Sequence, residues 1–199
     1  MIPRKVINEA DKENLLRHFL QDIVGEDRRL RFGHLLPDAG VEDYVEKTFK
    51  DFGCKNMWFI VDMPSTYTLN RKVIASCHVA YDSKTNTAEM GCTVSKDFRG
   101  KQIGQELFNR GVTWARMLGA ETIFMHCLSE NKVIQHIAQK GGMTVVTIDP
   151  AEKESTIKVS KNPIVAGFED AVMESMAVYD MTIRTQKWFF EKFLKMFKR

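Results

Sequence analysis

The 199-residue sequence holds only four cysteines, Cys54, Cys77, Cys92 and Cys127, and none of them forms a C-x-x-C pair. That spacing gives no support to a zinc ribbon or a thioredoxin-type redox motif, and no metal site is expected. Cys77, Cys92 and Cys127 each fall in a strand-like run, where a free thiol acts as a small apolar residue in a reducing compartment. No local signature marks any of them as a catalytic nucleophile. Long apolar runs are also lacking: no stretch approaches the ~20 residues of a membrane span. The start, Met1 to Lys5, leads into a polar segment without an apolar signal core, so a cytoplasmic location is expected. There is no internal repeat and no low-complexity block.

Charge is nearly balanced, with 29 basic and 26 acidic residues. Residues 184–199 contribute six of the bases (Arg184, Lys187, Lys192, Lys195, Lys198, Arg199) against one acid, Glu191, so the remainder carries 23 bases and 25 acids. The basicity therefore belongs to the tail, which argues against a general nucleic-acid-binding surface. A hydrophobic content of 44% and a charged content of 28% are ordinary for a folded chain. The length suits one domain with a core, or one domain plus an appendage.

Periodicity and punctuation set out the elements. Residues 2–7 fit a short strand, and Asn8 or Asp11 can cap a helix running to about Gln21, with Leu15, Leu16, Phe19, Leu20 and Ile23 on one face. Leu30 to Leu36 reads as an apolar-basic connector ended by the turn cluster Pro37-Asp38-Ala39-Gly40. Val41 to Phe52 reads as a second helix, closed by Gly53. Strands follow at Met57 to Val61, at Val73 to Tyr81 (Val73, Ala75, Cys77, Val79 and Tyr81 sharing a face) and at Ala88 to Val94. Lys101 to Leu118 is a helix stopped by Gly119. Thr122 to Leu128 is a strand, and Asn131 to Lys140 a helix ended by Gly141-Gly142. Thr144 to Ile148 and Thr156 to Ser160 can pair as a hairpin, and residues 168–198 read as one or two helices. This mixed order predicts an α/β fold, a sheet with helices on its faces, over residues 1–160, with a C-terminal helical extension over 161–199.

The segment from Gly91 to Gly104 carries the chemistry. A strand ends at Val94, and a short basic loop with Gly100 opens directly into an amphipathic helix. Free N–H groups at a helix N-terminus and the helix dipole both favour an anion. Gly100 and Gly104 let backbone approach a phosphate closely, and Arg99 and Lys101 add positive charge. Spacing alone reads as a phosphate or pyrophosphate cradle, or as a surface loop whose glycines turn the chain.

This segment resembles the acetyl-CoA signature of the GNAT superfamily of N-acetyltransferases: Arg or Gln, two residues, Gly, one residue, then Gly or Ala. Arg99, Gln102 and Gly104 fall on its fixed positions, with Gln102 standing where the family usually has Gly. The preceding strand, Ala88-Glu89-Met90-Gly91-Cys92-Thr93-Val94, is similar to the family's Ala-Glu run ending in Val. Asn131 opens the later helix and Gly142-Met143 follows it, as in the family. Element order extends the resemblance over about residues 2–160. Arg28 to Phe32 and Phe124 to Asn131 look similar to a bacterial subgroup of GNAT proteins without an assigned acceptor.

The resemblance implies transfer of acetyl from acetyl-CoA, as cosubstrate, to an amine of a small molecule or a protein. It implies CoA contacts from Thr93, Val94, Ser95, Arg99, Gly100, Lys101, Gln102, Ile103, Gly104 and Asn131, with the strand end near Thr93-Val94-Ser95 holding the pantetheine arm through backbone. Glu89 lies where many GNAT enzymes carry a general base. The alternative for Glu89 is an exposed strand carboxylate. The Tyr that often protonates the departing thiolate would fall at position 138, which is Ala138. His126 and His136 are nearby in sequence, and each reads more readily as structural. A CoA-binding module with little turnover is the runner-up function.

The tail from Trp188 to Arg199 sets Trp and Phe among lysines. Its apolar residues, Trp188 to Phe190, Phe193, Leu194, Met196 and Phe197, need cover. The expected cover is protein, the chain's own domain or a second subunit in a homodimer. A membrane-surface helix is the less favoured alternative.

Overall fold

The computed structural model describes residues 1–50, 52–64, 71–160 and 162–196. β1 (Arg4–Lys5) leads into α1 (Glu9–Gln21), α2 (Glu26–Phe32) and α3 (Asp38–Lys50). β2 (Asn56–Pro64), β3 (Arg71–Asp82) and β4 (Thr87–Val94) form an antiparallel meander. A single 3₁₀ turn, Lys96–Phe98, precedes α4 (Ile103–Met117) and β5 (Thr122–Leu128). α5 (Lys132–Lys140), β6 (Thr144–Thr147), β7 (Glu152–Lys158) and α6 (Pro163–Met196) complete the chain. The seven strands make one sheet in the order β1-β2-β3-β4-β5-β7-β6. Only β4 and β5 are parallel; every other neighbouring pair is antiparallel. The fold is thus a mixed α/β sheet with a long C-terminal helix.

The sheet is buried on both faces. On one, Ile103, Leu107, Phe108 and Trp114 of α4 pack on Phe59, Cys77, Val79 and Met90. On the other, Leu15, Phe19 and Ile23 of α1 and Val41 and Val45 of α3 pack on Trp58 and Ile60. Each such side chain contributes about 1.5–3 kcal/mol by leaving water. The α1 stripe works because its N-terminus is fixed: the Asn8 side chain accepts from the Asp11 N–H.

Several elements differ from the sequence reading. The stretch taken as a connector is largely α2, set between Gly25 (φ 54°) and Gly33 (φ 80°). Its buried Arg28 donates to the carbonyls of Phe19, Ile23 and Leu36, so α2 is held by one side chain rather than by an apolar stripe. Pro37-Asp38-Ala39-Gly40 is the start of α3, not a turn: the Pro37 carbonyl accepts from the Val41 N–H. Proline is well tolerated there because its missing N–H would be unpaired anyway. Val73 leaves the face it was assigned with Ala75. Val61 pairs Ala75 while Asp62 pairs Val73, so Ile74 is an extra residue in β3, and the bulge turns Val73 toward α1 and α3. The helix expected from Lys101 begins at Ile103. The late hairpin pairs Thr144–Thr147 with Lys153–Thr156, within β7, which runs from Glu152 to Lys158.

α6 is one continuous helix. Its first half docks on the domain: Ala166, Asp170 and Ala177 are buried, and Asp170 and Glu174 each lie 2.6 Å from the buried Arg110 of α4. Its last turns do not dock. Phe189, Phe190, Phe193, Leu194 and Met196 are all exposed, so the chain's own domain does not provide the expected cover. Phe197, Lys198 and Arg199 lie outside the described residues. Among the described residues, no helix is long and apolar enough to cross a membrane.

Candidate active site

The site forms where the sheet opens. β4 and β5 pair from Thr87↔Thr122 to Glu89↔Phe124 and no further. β3 continues to pair β4 up to Val94, so the other edge of β4 is free from Met90 to Val94. Free strand edges offer backbone N–H and C=O groups to a ligand. The gap continues into a groove of about 570 Å³ between β4, the following loop, α4 and α5. That volume is in the range of a small-molecule site.

Eight of the ten residues implied for CoA binding line this groove. Thr93 and Val94 come from β4, Arg99, Gly100 and Gln102 from the loop, Ile103 and Gly104 from α4, and Asn131 from the start of α5. Asn131 caps its helix by accepting from the Ile134 N–H. The other two side chains lie outside it. Ser95 is buried, with its hydroxyl 3.4 Å from both His18 and Asp22 and its N–H donated to Ile74. The Lys101 ammonium donates to the Asp97 carbonyl at 3.1 Å and sits over the Phe98 ring.

The loop fits a pyrophosphate. Among the described residues, the N–H groups of Gly100 to Gly104 have no acceptor, and they precede the first turn of α4. Gly100 has φ 73° and Gln102 has φ 62°, both left-handed. The second value explains the family preference for Gly at this position, since only Gly adopts it without strain. Arg99 donates from Nε to the Val94 carbonyl at 3.1 Å and pairs with Asp27 at 2.8 Å, which fixes its guanidinium on the groove's lip. Gly104 has a packing reason too: a Cβ there would stand 2.7 Å from Ile137 Cδ1.

A second cavity, of about 330 Å³, lies on the α2 side of β4. Glu89 lines it and is exposed, on the face it shares with Gly91 and Thr93. His126 and Glu152 line it as well, and His126 lies 3.6 Å from Glu154. His136 lines the first groove instead, and Ala138 is buried in the core.

Sequence reasoning singled out none of Arg31, Tyr44, His78 and His18. Arg31 lines both cavities, and its guanidinium rests on Gly91, where a Cβ would come within 2.5 Å. It donates to the Tyr44 hydroxyl at 2.8 Å, which lies 3.0 Å from His78 Nδ1. His78 Nε2 lies 3.0 Å from Asn56 Oδ1. Burial first, and then the Arg31 charge, push the His78 pKa down to about 3, so its ring is neutral. The ring then donates to Asn56 and accepts from Tyr44, leaving the Tyr44 oxygen to accept from Arg31. Behind Thr93, His18 is held below its usual range by burial, against the pull of Asp22, and contacts the Thr93 hydroxyl at 3.2 Å. The only sequence signal for Arg31 was its basic cluster. Its contact with Gly91 spans sixty residues and has no local pattern.

Two of the thiols, Cys77 and Cys127, are buried and poorly suited to act as nucleophiles. Cys77 is held well above the ordinary thiol range by its hydrogen bond with Cys92 and by burial, and burial raises Cys127 as well.

The Acetyltransferase (GNAT) domain family matches residues 4–144, and the chain belongs to that family. No curated protein sequence matches the chain. Among solved structures, the GNAT domain of S. lividans PAT is similar at 17% identity and a TM-score of 0.62, over 79% of this chain and 89% of that one. RimL, a ribosomal L7/L12 alpha-N-protein acetyltransferase in complex with coenzyme A, is similar at 10% identity and a TM-score of 0.59, over 80% and 94%. A mutant of the spermidine N-acetyltransferase SpeG from Vibrio cholerae is similar at 16% identity and a TM-score of 0.53, over 79% and 95%. These likenesses are of fold.

Proposed function

We propose that the protein transfers acetyl from acetyl-CoA to a primary amine by direct attack on the thioester. The observation that carries this reading is the run of acceptor-free N–H groups from Gly100 to Gly104 at the start of α4, continuous with the open edge of β4. The pyrophosphate fits that run, with Arg99 beside it, and the pantetheine arm fits the β4 edge through backbone hydrogen bonds. The acceptor enters from the second cavity and meets the thioester near Gly91, where the two cavities share Arg31. Residues 1–160 carry the reaction, and α6 (Pro163–Met196) is an extension to that unit. A cytoplasmic setting suits the four free thiols.

In this reading Glu89 removes the amine proton, directly or through a water, so that the neutral nitrogen attacks the thioester carbon and the C–S bond breaks. The CoA thiolate leaves and takes a proton from solvent, because no Tyr stands at Ala138 and a thiolate is a good leaving group. Ala138, together with Gln102 in place of the family's usual Gly, also favours the second reading, a CoA-binding module with little turnover. Glu89→Gln should lower turnover by roughly 10²–10⁴-fold, with acetyl-CoA affinity near wild type. Free-thiol release with an amine panel measures the first quantity and calorimetry the second. Undiminished turnover in the variant would remove Glu89 from the mechanism, and absence of turnover in wild type despite binding would favour the second reading.

A further inference from the structure

Arg31, in the lining of the second cavity, is a cation without an ion-pair partner. Among the described residues, no carboxylate pairs with Arg31, and its buried Nε has no hydrogen-bond partner. Its nearest polar neighbour is the neutral Tyr44 hydroxyl, and the rings of Phe32 and Tyr44 flank it at 5.1 and 5.6 Å. Tyr44, His78 and Asn56 hold the guanidinium in place through their chain of hydrogen bonds. A half-buried guanidinium with a free donor edge is matched by a carboxylate, which takes two parallel N–H bonds. Glu89 stands two residues before Gly91 on the same face, about 6–7 Å along the strand. A cation and a carboxylate at that spacing suit a ligand of opposite polarity, an amine close to an acid group.

We propose that the acceptor is an amino acid or amino-acid-like amine whose carboxylate is bound by Arg31 while its amine faces Glu89. This rests on the acetyltransferase reading of the same site. It disfavours polyamines, whose second positive charge would meet Arg31.

The test compares free amino acids with their amides and with the amines that lack the carboxyl group, at saturating acetyl-CoA. Wild type should prefer the acid over its amide by about 10–100-fold in kcat/KM, the worth of a charged hydrogen bond. Arg31→Gln should raise KM for the acid, with a loss at least about tenfold greater than for the amide, and Arg31→Lys should restore part of it. Amides or simple amines that equal the acids in wild type would overturn the proposal. So would equal losses for acid and amide in Arg31→Gln, which would place Arg31 in the transfer step itself. Calorimetry with acetyl-CoA separates the two failures: no binding sinks the acetyltransferase reading. Binding with no amino acid acetylated, and none bound to the CoA complex by saturation-transfer NMR, sinks only the substrate class.

Discussion

Gln102 shows how one residue can satisfy a motif's geometry while departing from its letters. Its φ of 62° places it in the left-handed region just before α4, where the chain must turn so that the following N–H groups face the groove. A non-glycine residue there carries a cost of about 1–2 kcal/mol, partly offset because glycine is freer in the unfolded chain. Gln102→Gly should therefore stabilise the protein by up to about 1 kcal/mol, read as a higher urea midpoint at unchanged slope, with acetyl-CoA binding retained. A lower midpoint would mean that the Gln102 side chain does more than occupy the turn. Gly91 shows the reverse dependence. It is small because Arg31, from a distant helix, rests where its Cβ would be.

At the scale of elements, the parts legible in the sequence were those with long periodic patterns or local punctuation. The amphipathic helix after the basic loop, the strand ending at Val94 and the helix opened by Asn131 all appear where the residues put them. The basic loop between Val94 and Gly104 was legible because glycines and charges at a strand–helix junction have a local meaning. What was not legible depends on distant partners. α2 has seven residues, too few for a hydrophobic period, and its order comes from Arg28 bonding to carbonyls on either side. The β3 bulge at Ile74 exists only in register with β2, so alternation alone misassigned Val73. For the same reason the second cavity escaped notice: Arg31, Tyr44 and His78 come from three elements and share no motif. The tail's apolar pattern was legible as needing cover, but its own domain does not supply that cover.

For the whole molecule, the sheet divides two tasks. The α4–α5 side forms the groove proposed for acetyl-CoA, and the α2–α3 side forms the second cavity, proposed to admit the acceptor. They meet where β4 and β5 stop pairing at Glu89. Two buried ionic clusters brace this arrangement. Arg4 joins Asp11 of α1 to Asp62 of β2, and Arg110 joins α4 to α6 through Asp170 and Glu174. Such clusters fix the elements' relative positions, because removing one partner would leave a buried charge unpaired. The proposed function requires above all that the groove at the start of α4 bind acetyl-CoA. Calorimetric titration of acetyl-CoA into wild type and into Arg99→Glu tests it most directly. One saturable site per chain is expected, with affinity about tenfold or more weaker in the variant, because a charge beside a phosphate is reversed. No saturable heat with wild type, or equal affinity in the two proteins, would contradict it.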